Sequence, residues 1–352
     1  MIPSKRVQIW LILAVLVGIA LWYKLRIFDA QVIPTYGNTM YHVGIIRRTV
    51  ESGYYPLEEL SYGGGFRSLY VPFYRTLVAS MAVATGIDPM PLSALMTVLL
   101  SSFTVVAMYA LGRRIFNNDY IGLCAAFFFV TSPELTIFTA RAFPELLGLL
   151  LVPLTLYLIS ANYRSLAVAS AMATALTHQL AFSVLVPTLV LYLIAQVLNR
   201  NKSEIVLSIV VLAGAIGAYV LWMAYLVGLP FLLTLLKFTG LVKASPGSPV
   251  DWTLLLRAGY AVVVLLPVGL SLFLSSGLRS KPRLLMLAWF TATFLLAKND
   301  LLGVGVLMDR YFTFLVQAMV MIAAFGIYGL FKGGPAFAWR IVQRLSDHWL
   351  FH

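Results

Sequence analysis

The chain has 352 residues, 61% of them hydrophobic and only 11% charged, with a formal charge of +12 and a mean hydropathy of +0.91. A soluble domain of this length needs about a quarter of its residues charged. Here the apolar surplus falls in continuous runs suited to helices crossing a ~30 Å hydrocarbon core, which excludes an alternating closed β-barrel, and the lone Cys124 excludes disulfides and thiolate metal sites.

The first apolar run follows Lys5 and Arg6 and lacks a small-residue cleavage signal, so it is expected to be a retained first helix. Ten spans are expected in all, at 7–25, 91–112, 120–133, 143–161, 165–177, 180–198, 205–228, 253–277, 284–297 and 311–331. With both termini cytoplasmic, the inner connections carry Arg113 and Arg114, then Arg164, Arg200 and Lys202, then Arg279, Lys281 and Arg283. Counting Lys5, Arg6, Lys332, Arg340 and Arg344, 13 of 25 basic residues lie inside. Topology thus accounts for about half of the basic residues, and nucleic acid is not an expected partner. The cytoplasmic membrane is the expected location. Of 13 acidic residues only Asp119, Glu204 and Asp347 fall inside, so carboxylates collect at the outer face, a bias that orientation rules do not demand.

Residues 26–90 form the longest loop, on the outer side of one expected membrane domain, 1–352. Within it, residues 39–52 read as an amphipathic helix, with Met40, Val43, Ile46 and Val50 on one face. Gly53 and Pro56 stop it. The stretch 68–87 is apolar yet contains Arg75 and follows three glycines, which points to an interfacial or re-entrant helix. Counting it as a span would invert every later loop. The expected class is therefore all-α, polytopic, with interfacial helices in a large first outer loop.

Ordered motifs run through this layout. Asn38-Thr-Met-Tyr41-His42, followed by Ile46, Glu51, Gly53 and Pro56, opens the outer loop; Tyr70-Val-Pro72-Phe-Tyr74 and Thr85-Gly-Ile-Asp88-Pro89 close it. Leu111-Gly-Arg113-Arg114-Ile-Phe116, Ser132-Pro133, Pro144-Glu145, Leu147-Gly148, Leu176-Thr-His178 and Asp309-Arg310-Tyr311 follow in order. The series resembles the GT-C superfamily of membrane glycosyltransferases, which use lipid-phosphate-linked sugars, and most of all the catalytic subunit of oligosaccharyltransferase. The resemblance implies a polyprenyl-phosphate sugar as donor substrate, dolichyl phosphate being one such carrier, and a glycan, lipid or protein acceptor.

Two departures bear on chemistry. Asn38 stands where that family carries an acidic D-x-x-Y-H start, and an amide is neither a general base nor a carboxylate metal ligand. No second-loop D-x-D and no W-W-D-Y-G-like motif is found, and a C-terminal soluble domain is not expected, which points to a simpler relative working from a polyprenyl monophosphate without cofactor or metal. Such transfer needs a base for the acceptor hydroxyl, cations for the phosphate and a lipid-facing groove. Asp29, just past the first span, and Glu145, in a first helical turn, are the expected bases. Glu51, Glu58, Glu59 and Glu134 read as solvated. Arg310 is the expected phosphate ligand, with Asp309 as its alternative partner and Arg67, Arg75 and Arg141 as further candidates. Arg75 also fits snorkelling, and Arg47 and Arg48 fit anionic lipid. His178 is expected below the outer surface, because 165–177 is short for a span. His42 and Tyr41 are expected to contact donor or acceptor, and the two histidines share no i, i+4 face that would hold a metal. A non-catalytic glycolipid-binding relative is the alternative that Asn38 favours. A lipid or small-solute transporter fits less well, because no internal repeat is visible and polar groups collect at one face.

Overall fold

A computed structural model describes residues 4–30, 37–59, 66–228, 247–277 and 280–333. The first helix, α1 (Lys5–Ala30), buries a stripe of Ile9, Leu13, Leu16, Ala20 and Lys24, a 4-3-4-4 spacing that presents one face to the bundle. Next come α2 (Gly37–Ser52), a two-residue antiparallel ladder pairing Glu58–Glu59 with Phe66–Arg67, and α3 (Phe73–Thr85). The bundle continues with α4 (Pro89–Phe116), α5 (Asp119–Thr131), α6 (Pro133–Thr139), α7 (Pro144–Ser160), α8 (Arg164–Thr177), α9 (Gln179–Leu198) and α10 (Lys202–Val227). It ends with α11 (Trp252–Leu256), α12 (Tyr260–Ser275), α13 (Lys281–Ala297), a 3-10 turn (Asn299–Leu302) and α14 (Met308–Gly333).

Helices occupy all ten expected segments, but α1, α4, α9, α10 and α14 are the five long and apolar enough to cross a membrane by themselves. A sixth is added if α5 and α6, bent by 70° at Ser132–Pro133, form one broken span. The chain is an integral membrane protein. The expected span 253–277 is also broken, at Gly259, whose φ of 106° no L side chain adopts comfortably.

Local chemistry sets the corners. The Asp88 carboxylate accepts from Met90 N at 2.9 Å to cap α4, with Pro89 in the first turn. At the other end Asn117 turns left-handed and Asn118 caps α5 by accepting from Tyr120 N and Ile121 N. The last helix, α14, is the axis of the bundle, buried continuously from Phe312 to Ala324. It meets α12 backbone to backbone through Gly269 and Gly326: a Cβ on Gly269 would lie on the Ile322 carbonyl.

The α2–α3 segment roofs the bundle end formed by the starts of α4 and α7. Ile46, Tyr74, Val78 and Ala82 pack there against Leu92, Met96 and Leu146. Val43 and Ile46 are buried as expected for the apolar face of α2, whereas Met40 is 47% exposed, because it falls on the outward stripe of the helix with Gly44, Arg47 and Glu51. This roofed end also gathers Glu134, Glu145, His178, Arg257 and Arg310. The opposite end gathers Arg113, Asp119, Ser160, Glu204 and Lys281.

Candidate functional site

Two Pro-Glu pairs place carboxylates in the first turns of α6 and α7, where the missing proline N–H costs nothing and the helix dipole favours negative charge. Their surroundings differ. Glu134 is fully buried, with Oε1 accepting from Thr313 Oγ1 at 2.8 Å and Oε2 held 2.7 Å from Arg257 Nη2. The expectation that it is solvated is therefore wrong; the bend between α5 and α6 turns it inward onto α14. Glu145 is equally buried, but neither of its oxygens accepts a hydrogen bond among the described residues, and Arg310 Nη1 stands 4.0 Å from Oε2. Arg310 is 29% exposed, so this pair connects the interior to the surface.

Beside it lies a cation packed against two aromatic rings whose centres are 6.3 Å apart. Arg75 is fully buried and does not snorkel; its Cζ lies 4.4 Å from the Tyr70 ring centre and 4.8 Å from that of Tyr41. Its Nε donates to His42 Nδ1 at 3.0 Å, its Nη1 to the Tyr55 hydroxyl at 3.0 Å, and its Nη2 has no partner among the described residues. Burial, with the Arg75 charge behind it, lowers the His42 pKa well below 6.5. The imidazole is therefore neutral, and because Nδ1 accepts, the ring proton sits on Nε2.

Tyr70 joins the two halves. Its ring lies 5.0 Å from His42 and 6.4 Å from His178, and the charges of Arg75, Glu145 and Arg310 all reach its phenol, whose pKa burial raises. His178 is the extended residue between α8 and α9, buried, with Nδ1 unbonded among the described residues. Gly148, one turn after Glu145, admits this joint: a Cβ there would stand 2.7 Å from Ala181 Cβ.

The structure thus brings Glu145, Arg310, Arg75, His42, Tyr41 and His178 together. Arg141 packs over the Phe138 ring at 4.1 Å, and its charge reaches Glu145 and Glu134. Arg67 is apart, donating to the Leu226 carbonyl at 2.5 Å beside a 640 Å³ recess lined by Leu69 and the end of α10. Asn38 is exposed in the first turn of α2. Asp29 is next to last in α1, and its side chain lies outside the described residues. No three His, Cys, Asp or Glu side chains converge among the described residues.

Sequence reading missed Tyr70 and Tyr55 as site members, because aromatic residues near an interface carry no chemical signature of their own. It also missed Lys24. That residue falls within the expected first span, yet it is buried and its Nζ donates to the Thr136 carbonyl at 2.5 Å, tying α1 to α6.

No protein-family model matches the sequence, and no curated protein matches it. Solved structures do. The archaeal oligosaccharyltransferase AglB from Archaeoglobus fulgidus, in complex with an inhibitory peptide and a dolichol-phosphate, superimposes with a TM-score of 0.71 at 12% identity, covering 97% of this chain and 52% of its own. ArnT from Cupriavidus metallidurans, bound to undecaprenyl phosphate, gives 0.68 at 12% identity, covering 92% of this chain and 60% of its own. The chain therefore spans about half the length of the AglB structure and three fifths of ArnT. It has the membrane fold shared by these GT-C glycosyltransferases, the fold that its ordered motifs resemble.

Proposed function

We propose that this chain transfers a sugar from a polyprenyl-phosphate-linked donor to an acceptor hydroxyl or amide at the outer membrane face, using the roofed end as its site. One observation carries the reading: a fully buried glutamate, Glu145, with no hydrogen bond on either oxygen among the described residues, 4.0 Å from Arg310. A buried ionised carboxylate left this way is costly unless something else completes its environment. An acceptor group would do so.

In this reading Glu145 takes the acceptor proton as the acceptor atom bonds to the anomeric carbon. The bond from that carbon to the phosphate oxygen breaks, and polyprenyl phosphate leaves with its charge held by Arg310. Arg75 fixes the roof helix and keeps His42 neutral, so that His42 Nε2–H and the Tyr70 and Tyr41 rings are available to the sugar. The 640 Å³ recess beside Arg67 would admit the lipid. No step needs a metal. The AglB and ArnT structures, with dolichol-phosphate and undecaprenyl phosphate bound, support a lipid-phosphate ligand for this fold.

The test is sugar transfer by purified protein in lipid from a panel of polyprenyl-phosphate sugars. Wild type is expected to be active, Glu145→Gln inactive, and Asp29→Asn active. Loss in Asp29→Asn with activity in Glu145→Gln would move the base to α1. Exposed Asn38 favours the second reading, a glycolipid-binding relative without catalysis; donor binding without turnover, with activity appearing in Asn38→Asp, would establish it.

A further inference from the structure

At the opposite end of the bundle, the first turns of α1 and the last turn of α4 enclose a groove that the glycosyltransferase reading does not use. Two adjoining cavities of 440 and 330 Å³ share Trp10, Tyr109 and Arg113 as walls. Lys5, Arg6, Arg113 and Arg114 line it, against the lone carboxylate of Asp119. Asp119 is already engaged, 2.7 Å from Arg113 Nε and accepting from the Tyr109 hydroxyl at 3.0 Å. Arg114 uses Nε and Nη2 on the Ser160 carbonyl, which fixes its position at the groove floor. The Arg113 side chain remains 58% exposed.

Topology requires basic residues at one end of a membrane protein but does not require them to meet. Arg200 and Lys202, at the same end, lie outside this groove. Lys5 and Arg6 are more than a hundred positions from Arg113 in the chain and are nevertheless brought to one recess. The wall facing away from the bundle is also specific: Val7, Trp10 and Leu11 of α1 and Val106 of α4 are exposed. Cationic rim, aromatic wall and apolar outer surface form one continuous strip.

We propose that this groove binds an anionic phospholipid of the adjacent leaflet, with its phosphodiester between Lys5, Arg6 and Arg113 and its acyl chains along the exposed faces of α1 and α4. Free phosphate would meet the cations but not the apolar strip, and a zwitterionic lipid would bring its own cation into a positive field.

The experiment measures binding of a fluorescent phosphatidylglycerol to the purified full chain in detergent, competed by unlabelled phosphatidylglycerol, phosphatidylcholine or inorganic phosphate. Phosphatidylglycerol is expected to compete, and the other two are not. Removing three charges in Lys5→Gln/Arg6→Gln/Arg113→Gln is expected to weaken binding about 100-fold, while Arg200→Gln/Lys202→Gln changes it less than about threefold. Equal competition by phosphatidylcholine, full competition by phosphate, or equal weakening by the two variants overturns the assignment. Should the triple variant not fold, a photoreactive phosphatidylglycerol on wild type decides: label on peptides holding Trp10 and Tyr109 supports the groove, and label elsewhere removes it.

Discussion

Each end of the bundle buries a glutamate near a basic side chain, and the two pairs are finished differently. At the opposite end Glu204 Oε1 lies 2.7 Å from Lys281 Nζ and Oε2 accepts from the Tyr192 hydroxyl at 3.0 Å; Lys281 also reaches Asn162. Both charges of that pair are partnered, and three helices and a turn are tied by it. At the roofed end Glu145 and Arg310 stand 4.0 Å apart and the carboxylate has no hydrogen bond among the described residues. A closed buried pair holds helices together, whereas a carboxylate without a hydrogen bond has capacity left for a ligand. Glu134, closed by Arg257 and Thr313 next to the open pair, shows that the roofed end is able to satisfy a carboxylate where only structure is at stake.

That contrast is broken or sharpened by substitution. Glu145→Gln keeps shape and removes the base, so transfer should fall about 10²- to 10⁴-fold with no loss of thermal stability. Initial rates alongside a melting curve check both halves; preserved rates would leave the open pair without a catalytic part. Glu204→Gln should do the reverse. It strands the Lys281 ammonium and should cost about 3 kcal/mol, seen as a lowered melting temperature, while transfer per folded molecule is unchanged. Gly148→Ala is smaller: the added Cβ meets Ala181 at 2.7 Å, so about 1–3 kcal/mol is expected from overpacking, with a rise in KM as the His178 joint moves off α7.

Much of the scaffold was legible because membrane helices announce themselves by length and apolarity. The bend at Ser132–Pro133 and the break at Gly259 were not, since a run of apolar residues reads the same straight or bent. Of the site, Arg310 could be placed because charge is expensive at depth, Glu145 because it follows Pro144 in a first helical turn, and His178 because 165–177 is short for a span. The inward turn of Glu134 and the burial of Arg75 depend on partners distant in sequence: Thr313 and Arg257 for one, His42, Tyr55 and Tyr70 for the other. No local pattern encodes those meetings.

The smallest effect tests the roof itself. Burial, the Arg75 guanidinium and His178 together hold the His42 imidazole well below 6.5, so it is neutral where it accepts from Arg75. In the unfolded chain the same imidazole takes a proton near its ordinary pKa of about 6.5. Between the folded and unfolded values the unfolded chain binds the extra proton, so stability rises with pH across that window. The contribution is complete above pH 6.5 and is lost progressively as pH falls below it. His42→Gln keeps an acceptor for Arg75 Nε and removes the titration. Melting temperatures taken from about pH 7.5 to pH 5 should therefore decline more for wild type than for the variant. Parallel declines would mean that another group sets the acid sensitivity and that the roof is not held by a neutral His42.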